Sequence, residues 1–164
     1  MAIRPWSHSF PRSVRVSLVA NMPKPVHTHQ KAITEYLERH SVQLRALSDV
    51  ELAEVSHRWL ERFASRVKRQ KKTWVHCGFK WHGFSYGIEP SLSGDAAQRA
   101  YHKTKGSFYI FDEAGTYGYL CKPKVPFRPE LSHLRADIYV TSASFSWTMV
   151  FTHEEPHQGP LYAE

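Results

Sequence analysis

Near its C-terminus the chain carries the letters of a zinc-hydrolase motif. His153, Glu154 and His157 match H-E-x-x-H, in which two histidines on one helical face bind Zn²⁺ and the glutamate acts as a base. That chemistry requires a helix, but Pro156 disfavours helical geometry at Glu155, and the preceding stretch alternates like a strand. We therefore expect no metal at this motif. No glycine-rich phosphate loop or other cofactor motif occurs, so we also expect no cofactor.

A second constellation consists of polar residues set in aromatic segments: His82, Asp137, His153 and Glu154. Imidazole and carboxylate groups of this kind are the usual general acids and bases of enzymes. Polar groups in an apolar setting must be hydrogen-bonded or must line a pocket. These four residues are therefore candidate catalytic residues or, alternatively, internal struts that tie a strand end to neighbouring backbone.

A basic stripe is predicted along one flank of a helix, formed by Arg58, Arg62, Arg66 and Arg69. Seven basic residues lie between positions 58 and 72, against Glu61 as the only acid. Such a stripe can contact phosphates and bind nucleic acid in a salt-dependent manner. The alternative is a solvated face whose cations offset the helix dipole, and no helix-turn-helix spacing, RNA-binding strand motif or zinc finger accompanies the stripe.

The two cysteines, Cys77 and Cys121, form no CxxC pair. Neither a disulfide framework nor a structural zinc site is indicated, so we expect reduced thiols and a cytoplasmic protein. Cys77 follows His76 and can be interpreted as a nucleophile, although isolated cysteines are more often small buried hydrophobic residues.

Helical periodicity predicts the elements that position the candidates in the first half. Ser48 and Glu51 match a capping box at a helix start, and an apolar set at helical spacing continues from it. Three helices are predicted: His29 to Leu44, Asp49 to about Lys71, and a shorter one from Ser93 through Tyr101 that ends before Gly106.

The second half has the period of strands. Runs at Ser107 to Phe111 and Thr116 to Cys121 flank a turn and predict a hairpin, and strands follow at Asp137 to Val140 and Phe145 to Thr152. The last run places Phe145, Trp147, Met149 and Phe151 on one face. We predict an α+β fold with N-terminal helices packed on one face of a C-terminal, mainly antiparallel sheet. Trp59, Phe63, Trp147 and Phe151 are the predicted core.

Length and composition fit one domain of 164 residues. Residues 1–21 contain three arginines and no acid, and we expect a disordered or mis-started segment there, followed by a single domain over residues 22–164. No apolar run approaches the roughly 18 residues of a membrane-spanning helix, so no membrane partner is expected. The net charge of +7 is concentrated in residues 1–72.

Three segments together resemble a known family. They are Cys77 to Tyr86, Ser107 to Phe111, and the run from Asp137 through Phe145, Trp147 and Thr152-His153-Glu154 to Gly159-Pro160. In order and spacing they are similar to a bacterial family described only as domain of unknown function 4275, over roughly Leu47 to the C-terminus. The chain departs from the family at Leu161-Tyr162. The resemblance implies a compact bacterial cytosolic domain and lends no activity.

The leading functional prediction is a binding or regulatory protein, including the immunity type, that acts through a surface and has a protein partner. It follows from the missing phosphate loop and nucleophile motif. Two alternatives stay open: a small hydrolase that uses a His/Glu acid–base or metal site, and a nucleic-acid-binding protein that uses the basic helix. A cleft that brings His82, His153 and Glu154 together would favour the hydrolase.

Overall fold

A computed structural model describes residues 28–69, 78–155, 157 and 159–164. These residues form five α-helices, a short 3-10 helix at Ser132–Leu134 and seven strands. The helices are α1 (Thr28–Arg39), α2 (Asp49–Phe63), α3 (Ser65–Arg69), α4 (His82–Ser85) and α5 (Gly94–Lys103). The strands are β1 (Val42–Ala46), β2 (Leu92–Ser93), β3 (Phe108–Asp112), β4 (Gly118–Pro123), β5 (Ile138–Ser142), β6 (Thr148–Phe151) and β7 (Leu161–Ala163).

All seven described strands join one sheet in the order β1-β4-β3-β5-β6-β7-β2, and every neighbouring pair is antiparallel. The β3–β4 and β5–β6 hairpins follow turn signals in the sequence. The predicted α+β class and antiparallel sheet are therefore confirmed. No helix of the described residues is long and apolar enough to cross a lipid bilayer.

Helix α2 begins at the predicted capping box. The backbone N–H of Ser48 donates to Glu51 Oε2 at 2.9 Å, and Glu51 N–H donates to Ser48 Oγ at 3.3 Å, so two amides of the first turn are satisfied. The helix was predicted to continue to about Lys71. It instead breaks at Ala64, whose φ of −130° is not helical, and α3 carries the chain on to Arg69. Residue 71 lies outside the described residues.

Two hydrophobic clusters occupy opposite faces of the sheet. Successive residues of one strand alternate between them: Met149 and Phe151 join α1 and α5, whereas Val150 joins α2 and α4. The sequence predicted helices on one face, and the structure places helices on both. The difference arises because β5 and β6 are apolar on both sides, so each face must be covered.

The first predicted helix is shorter than its periodicity suggested. Helix α1 ends at Arg39, Ser41 adopts a left-handed conformation with φ of 56°, and Leu44 lies in strand β1 instead of a helix. Pairing of β1 with the free edge of β4 outweighs the helical spacing of Leu44. Strands β2 and β7 were also missed, because two- and three-residue strands are too short for period-2 alternation to be recognised.

The predicted core residues are buried, with Trp59 and Phe63 in one cluster and Trp147 and Phe151 in the other. The indole N–H of Trp59 donates to Thr148 Oγ1 at 2.8 Å, which satisfies this polar group inside the core. Phe145 was predicted to share a face with Trp147 but packs on the opposite side. It sits in the β5–β6 turn with φ of 57°, which ends the strand alternation before β6 begins.

Candidate functional site

The sheet brings the four candidate polar residues predicted from the sequence to one end of the β5–β6 hairpin. Asp137 directly precedes β5, and His153 and Glu154 lie in the turn that follows β6. Since Ile138 pairs with Phe151 in the antiparallel register, the residue before one strand meets the residues after the other. His82, the first residue of α4, lies near the same place, because the Phe79 ring contacts both His82 and His153.

Asp137 and His153 form the central contact of this cluster. His153 Nδ1 lies 2.9 Å from each carboxylate oxygen of Asp137, and the His153 backbone N–H donates to Asp137 Oδ1 at 3.1 Å. Because carboxylate oxygens accept hydrogen bonds, this contact fits the tautomer that carries its proton on Nδ1, which leaves the Nε2 lone pair free. The Asp137 side chain is 11% exposed and the His153 side chain 40%, so the carboxylate is sheltered and the imidazole is open to solvent.

A second carboxylate and a second imidazole flank this pair. Glu154 Oε1 lies 3.8 Å from His153 Nε2. Burial lowers the pKa of His82, whereas the charges of Glu154 and Asp137 act in the opposite direction. The net effect favours the neutral form of His82. Its Nδ1 is buried and has no hydrogen-bond partner among the described residues.

Aromatic rings form the wall between the two imidazoles. The Phe79 ring centroid lies 5.4 Å from that of His82 and 5.1 Å from that of His153. Trp81 lies 4.1 Å from His82 and 6.1 Å from His153. The indole Nε1 of Trp81 is also buried without a hydrogen-bond partner in the described part of the chain. Two unsatisfied polar nitrogens therefore lie beside the Asp137–His153 pair.

The segment that carries Phe79, Trp81 and His82 is anchored by Glu113, which sequence reasoning missed. Both carboxylate oxygens of Glu113 accept the Lys80 backbone N–H at 3.2 Å, and Lys80 Nζ lies 3.1 Å from Glu113 Oε1. Tyr139 donates its hydroxyl proton to Glu113 and accepts the Trp81 backbone N–H at 3.1 Å. Burial raises the pKa of Glu113, and the nearby positive charge of Lys80 acts in the opposite direction. In the sequence Glu113 shows only as a turn residue, with no signal of its distant partners.

The H-E-x-x-H letters do not form a helix. Residues 153–155 are in a turn after β6, and the His157 N–H donates to Glu154 O at 2.8 Å. His153 points to Asp137, whereas His157 is exposed. The expectation that this segment is not helical is confirmed for the described residues 153–155 and 157. Among the described residues no group of three or more His, Cys, Asp or Glu side chains is arranged to hold a metal ion.

The predicted basic stripe is divided between two helices. Arg58 and Arg62 lie exposed on α2, with their guanidinium carbons 4.3 Å from the Phe145 ring centroid and 5.3 Å from that of Phe63. Arg66 lies on α3, where its Nε is 3.9 Å from Glu89 Oε2. The Arg69 side chain lies outside the description. The three described arginines of the stripe therefore contact other groups than the Asp137–His153 cluster.

Cys121 does not contribute to the site. Cys121 is a free, buried thiol whose pKa is raised by burial, as expected of a core residue. Cys77 lies outside the described residues, and so do the predicted N-terminal segment and its boundary at Met22.

Together these features define a class: an α+β domain with one antiparallel sheet and, at one end of that sheet, an aspartate–histidine pair against an aromatic wall. The family model for Domain of unknown function (DUF4275) matches residues 31–162, so the chain belongs to this family. The resemblance found in the sequence is thereby confirmed. No curated protein and no solved structure matched the chain.

Proposed function

We propose that this domain is a small hydrolase in which His153 is the general base. The observation that supports the proposal best is the contact of His153 Nδ1 with the sheltered Asp137 carboxylate. This contact orients the ring and selects the tautomer whose Nε2 can accept a proton. An aspartate in this position also stabilises the imidazolium that forms during proton transfer.

The reaction class follows from what these groups can do. His153 Nε2 removes a proton from a water molecule, the water oxygen attacks an acyl or phosphoryl centre, and the imidazolium returns the proton to the leaving group. Glu154, 3.8 Å from Nε2, is placed to stabilise the imidazolium between the two transfers.

A His153→Ala variant tests the proposal, with His157→Ala as its matched control from the same turn. The full chain is assayed with chromogenic carboxylic esters, phosphomonoesters and phosphodiesters. We expect hydrolysis of at least one class, a loss of about 10²- to 10⁴-fold in kcat/KM for His153→Ala, and a change within about twofold for His157→Ala. No hydrolysis of any class, or equal rates in wild type and His153→Ala, would overturn the proposal. Thermal melts of both variants separate loss of the base from loss of fold.

A binding role, the leading prediction from the sequence, is a second proposal. One observation favours binding of an anionic partner: exposed cations from separate segments meet at the opposite end of the sheet, away from His153. An immunity-type role stays a prediction, and the identity of the flanking genes would test it.

A further inference from the structure

The fold segregates charge between the two ends of the sheet. The end that carries Asp137 and His153 also holds Asp112, Glu113 and the acidic first turn of α2. Six exposed cations lie at the other end, which we call the basic end: Arg58, Arg62, Lys103, Lys105, Lys122 and Lys124. In the sequence, residues 73–164 carry eight basic and nine acidic side chains, so composition conceals this segregation.

Strand register places these cations together. Phe108, at the start of β3, pairs with Cys121 near the end of β4 and with Ser142 at the end of β5, so Lys122 and the β5–β6 turn meet at one end. The Ala143 N–H donates to Ser107 O at 3.0 Å, which brings that turn next to the segment of Lys105. Arg58 extends the surface from α2, because its guanidinium group lies over Phe145 in the same turn.

The positive charge of the basic end is not neutralised within the described part of the chain. None of the six cations forms an ion pair with a described carboxylate. Glu61, next to Arg62 in the sequence, lies 3.7 Å from His57, and Glu164 accepts the Tyr162 hydroxyl at 2.8 Å. Arg39 and Glu38 at the end of α1 add no net charge.

A buried arginine adds to this potential. Arg128 is 8% exposed and donates to Thr104 Oγ1 at 2.6 Å and to the carbonyl oxygens of Phe127 and Gly106 at 2.7 and 3.2 Å. Its guanidinium carbon lies 4.9 Å from the Trp147 ring centroid, and no described carboxylate pairs with it. Its positive charge therefore adds to the electrostatic potential that the exposed cations create at the basic end.

Helix dipoles account for only part of this arrangement. The C-termini of α2 and α5 lie at the basic end, and a cation in the last turn of each offsets their partial negative charge. Lys105 lies beyond the end of α5, and Lys122 and Lys124 lie in and beyond β4, so none of the three is in the last turn of a helix. A charged partner explains these three lysines better than the helix dipoles do.

We propose that the basic end binds the phosphate backbone of a nucleic acid. Phosphate recognition needs cations spread over a surface and no apolar anchor, which fits this end. A protein partner would instead require an apolar or aromatic centre. Of the large hydrophobic residues exposed in the described chain, only Val125 lies here.

The test compares two charge-reversal variants of the full chain with equal net charge. One is Lys105→Glu with Lys122→Glu at the basic end; the control is Lys31→Glu with Arg135→Glu near the other end of the sheet. Binding of fluorescein-labelled single-stranded and duplex DNA is followed by anisotropy between about 50 and 200 mM salt. We expect the basic-end variant to bind at least about tenfold more weakly with a shallower salt dependence, and the control to bind like wild type. The corresponding Lys→Gln pair serves if charge reversal impairs folding.

Three results would overturn the proposal: no binding at low salt, equal weakening in both variants, or polyglutamate competing as well as DNA at equal charge. The last result would assign the surface to an acidic protein. Hydrolysis by wild type and both variants is measured in parallel. A failure of the nucleic-acid proposal can then be distinguished from a failure of the hydrolase proposal.

Discussion

Replacing Asp137 by Asn separates a catalytic pair from a structural strut, because the two side chains have the same shape and differ in charge. Asn Oδ1 can still accept the His153 backbone N–H, now made at 3.1 Å. The contact with His153 Nδ1 changes from a charge-assisted hydrogen bond to a neutral one. These classes contribute about 1.5–3 and 0.5–1.5 kcal/mol. With His153 40% exposed and partly screened, we expect the free energy of unfolding to fall by about 1 kcal/mol.

The tautomer is the more specific readout of this change. The Asn Nδ2 group donates, so an Asn side chain turned toward the ring favours a proton on Nε2 and removes the lone pair that a general base needs. Nitrogen NMR of the His153 ring distinguishes the two tautomers. If the pair is catalytic, hydrolysis falls by about 10²-fold or more. Asp95→Asn, at an exposed position in the first turn of α5, is the matched control.

An Asp137→Asn protein that melts like wild type and keeps its proton on Nδ1 would refute the assigned contact. The variant could instead lose about 1 kcal/mol of unfolding free energy and change the His153 tautomer, yet hydrolyse at the wild-type rate. That result would support a structural role for the contact and contradict a catalytic one.

Two further predictions concern the core and the second imidazole. Trp147→Ala should lower the free energy of unfolding in urea by about 3–5 kcal/mol, because Trp147 is 6% exposed and packs against Tyr101 and Arg128. The control, Val50→Ala, changes a 78% exposed side chain and should have little effect. Equal effects of the two substitutions would contradict the core assignment. Burial lowers the pKa of His82 in the folded state. As the pH falls below about 6.5, the His82 ring therefore binds a proton more readily in the unfolded chain than in the folded one. Acidification then lowers the free energy of unfolding. His82→Gln should therefore lose less stability than wild type between about pH 7 and 5, and a slope equal to that of wild type would show that His82 is not shielded from solvent.

Local signals in the sequence predicted the elements that depend on local interactions. The Ser48–Glu51 capping box and the β3–β4 hairpin are encoded within a few residues, and both are present. Strand β1 was missed because its stability comes from pairing with β4, about 75 positions away, which outweighs the helical spacing of Leu44. The helices on both faces were missed because each strand reads as apolar without showing which helix covers which side.

The candidate site was predictable as a set of residues but not as a geometry. His82, Asp137, His153 and Glu154 stood out as polar groups in aromatic segments, yet only the β5–β6 register shows that Asp137 meets His153. The anchoring role of Glu113 depends on contacts with Lys80 and Tyr139, at separations of 33 and 26 residues, that leave no pattern in the sequence. The basic end was hidden for the same reason, since its lysines are dispersed along the chain.

The connectivity of the site has a consequence for the order in which it assembles. Asp137 and His153 are 16 residues apart and belong to one hairpin, so their contact closes only a short loop. Trp81 contacts Tyr139 across 58 residues, and the neighbouring Lys80 contacts Glu113 across 33 residues. Because short loops close faster than long ones, we expect the Asp137–His153 pair to form with its hairpin during folding and the aromatic wall to be added later. The geometry of the Asp137–His153 contact therefore depends on one hairpin, whereas the wall depends on contacts between residues far apart in the sequence.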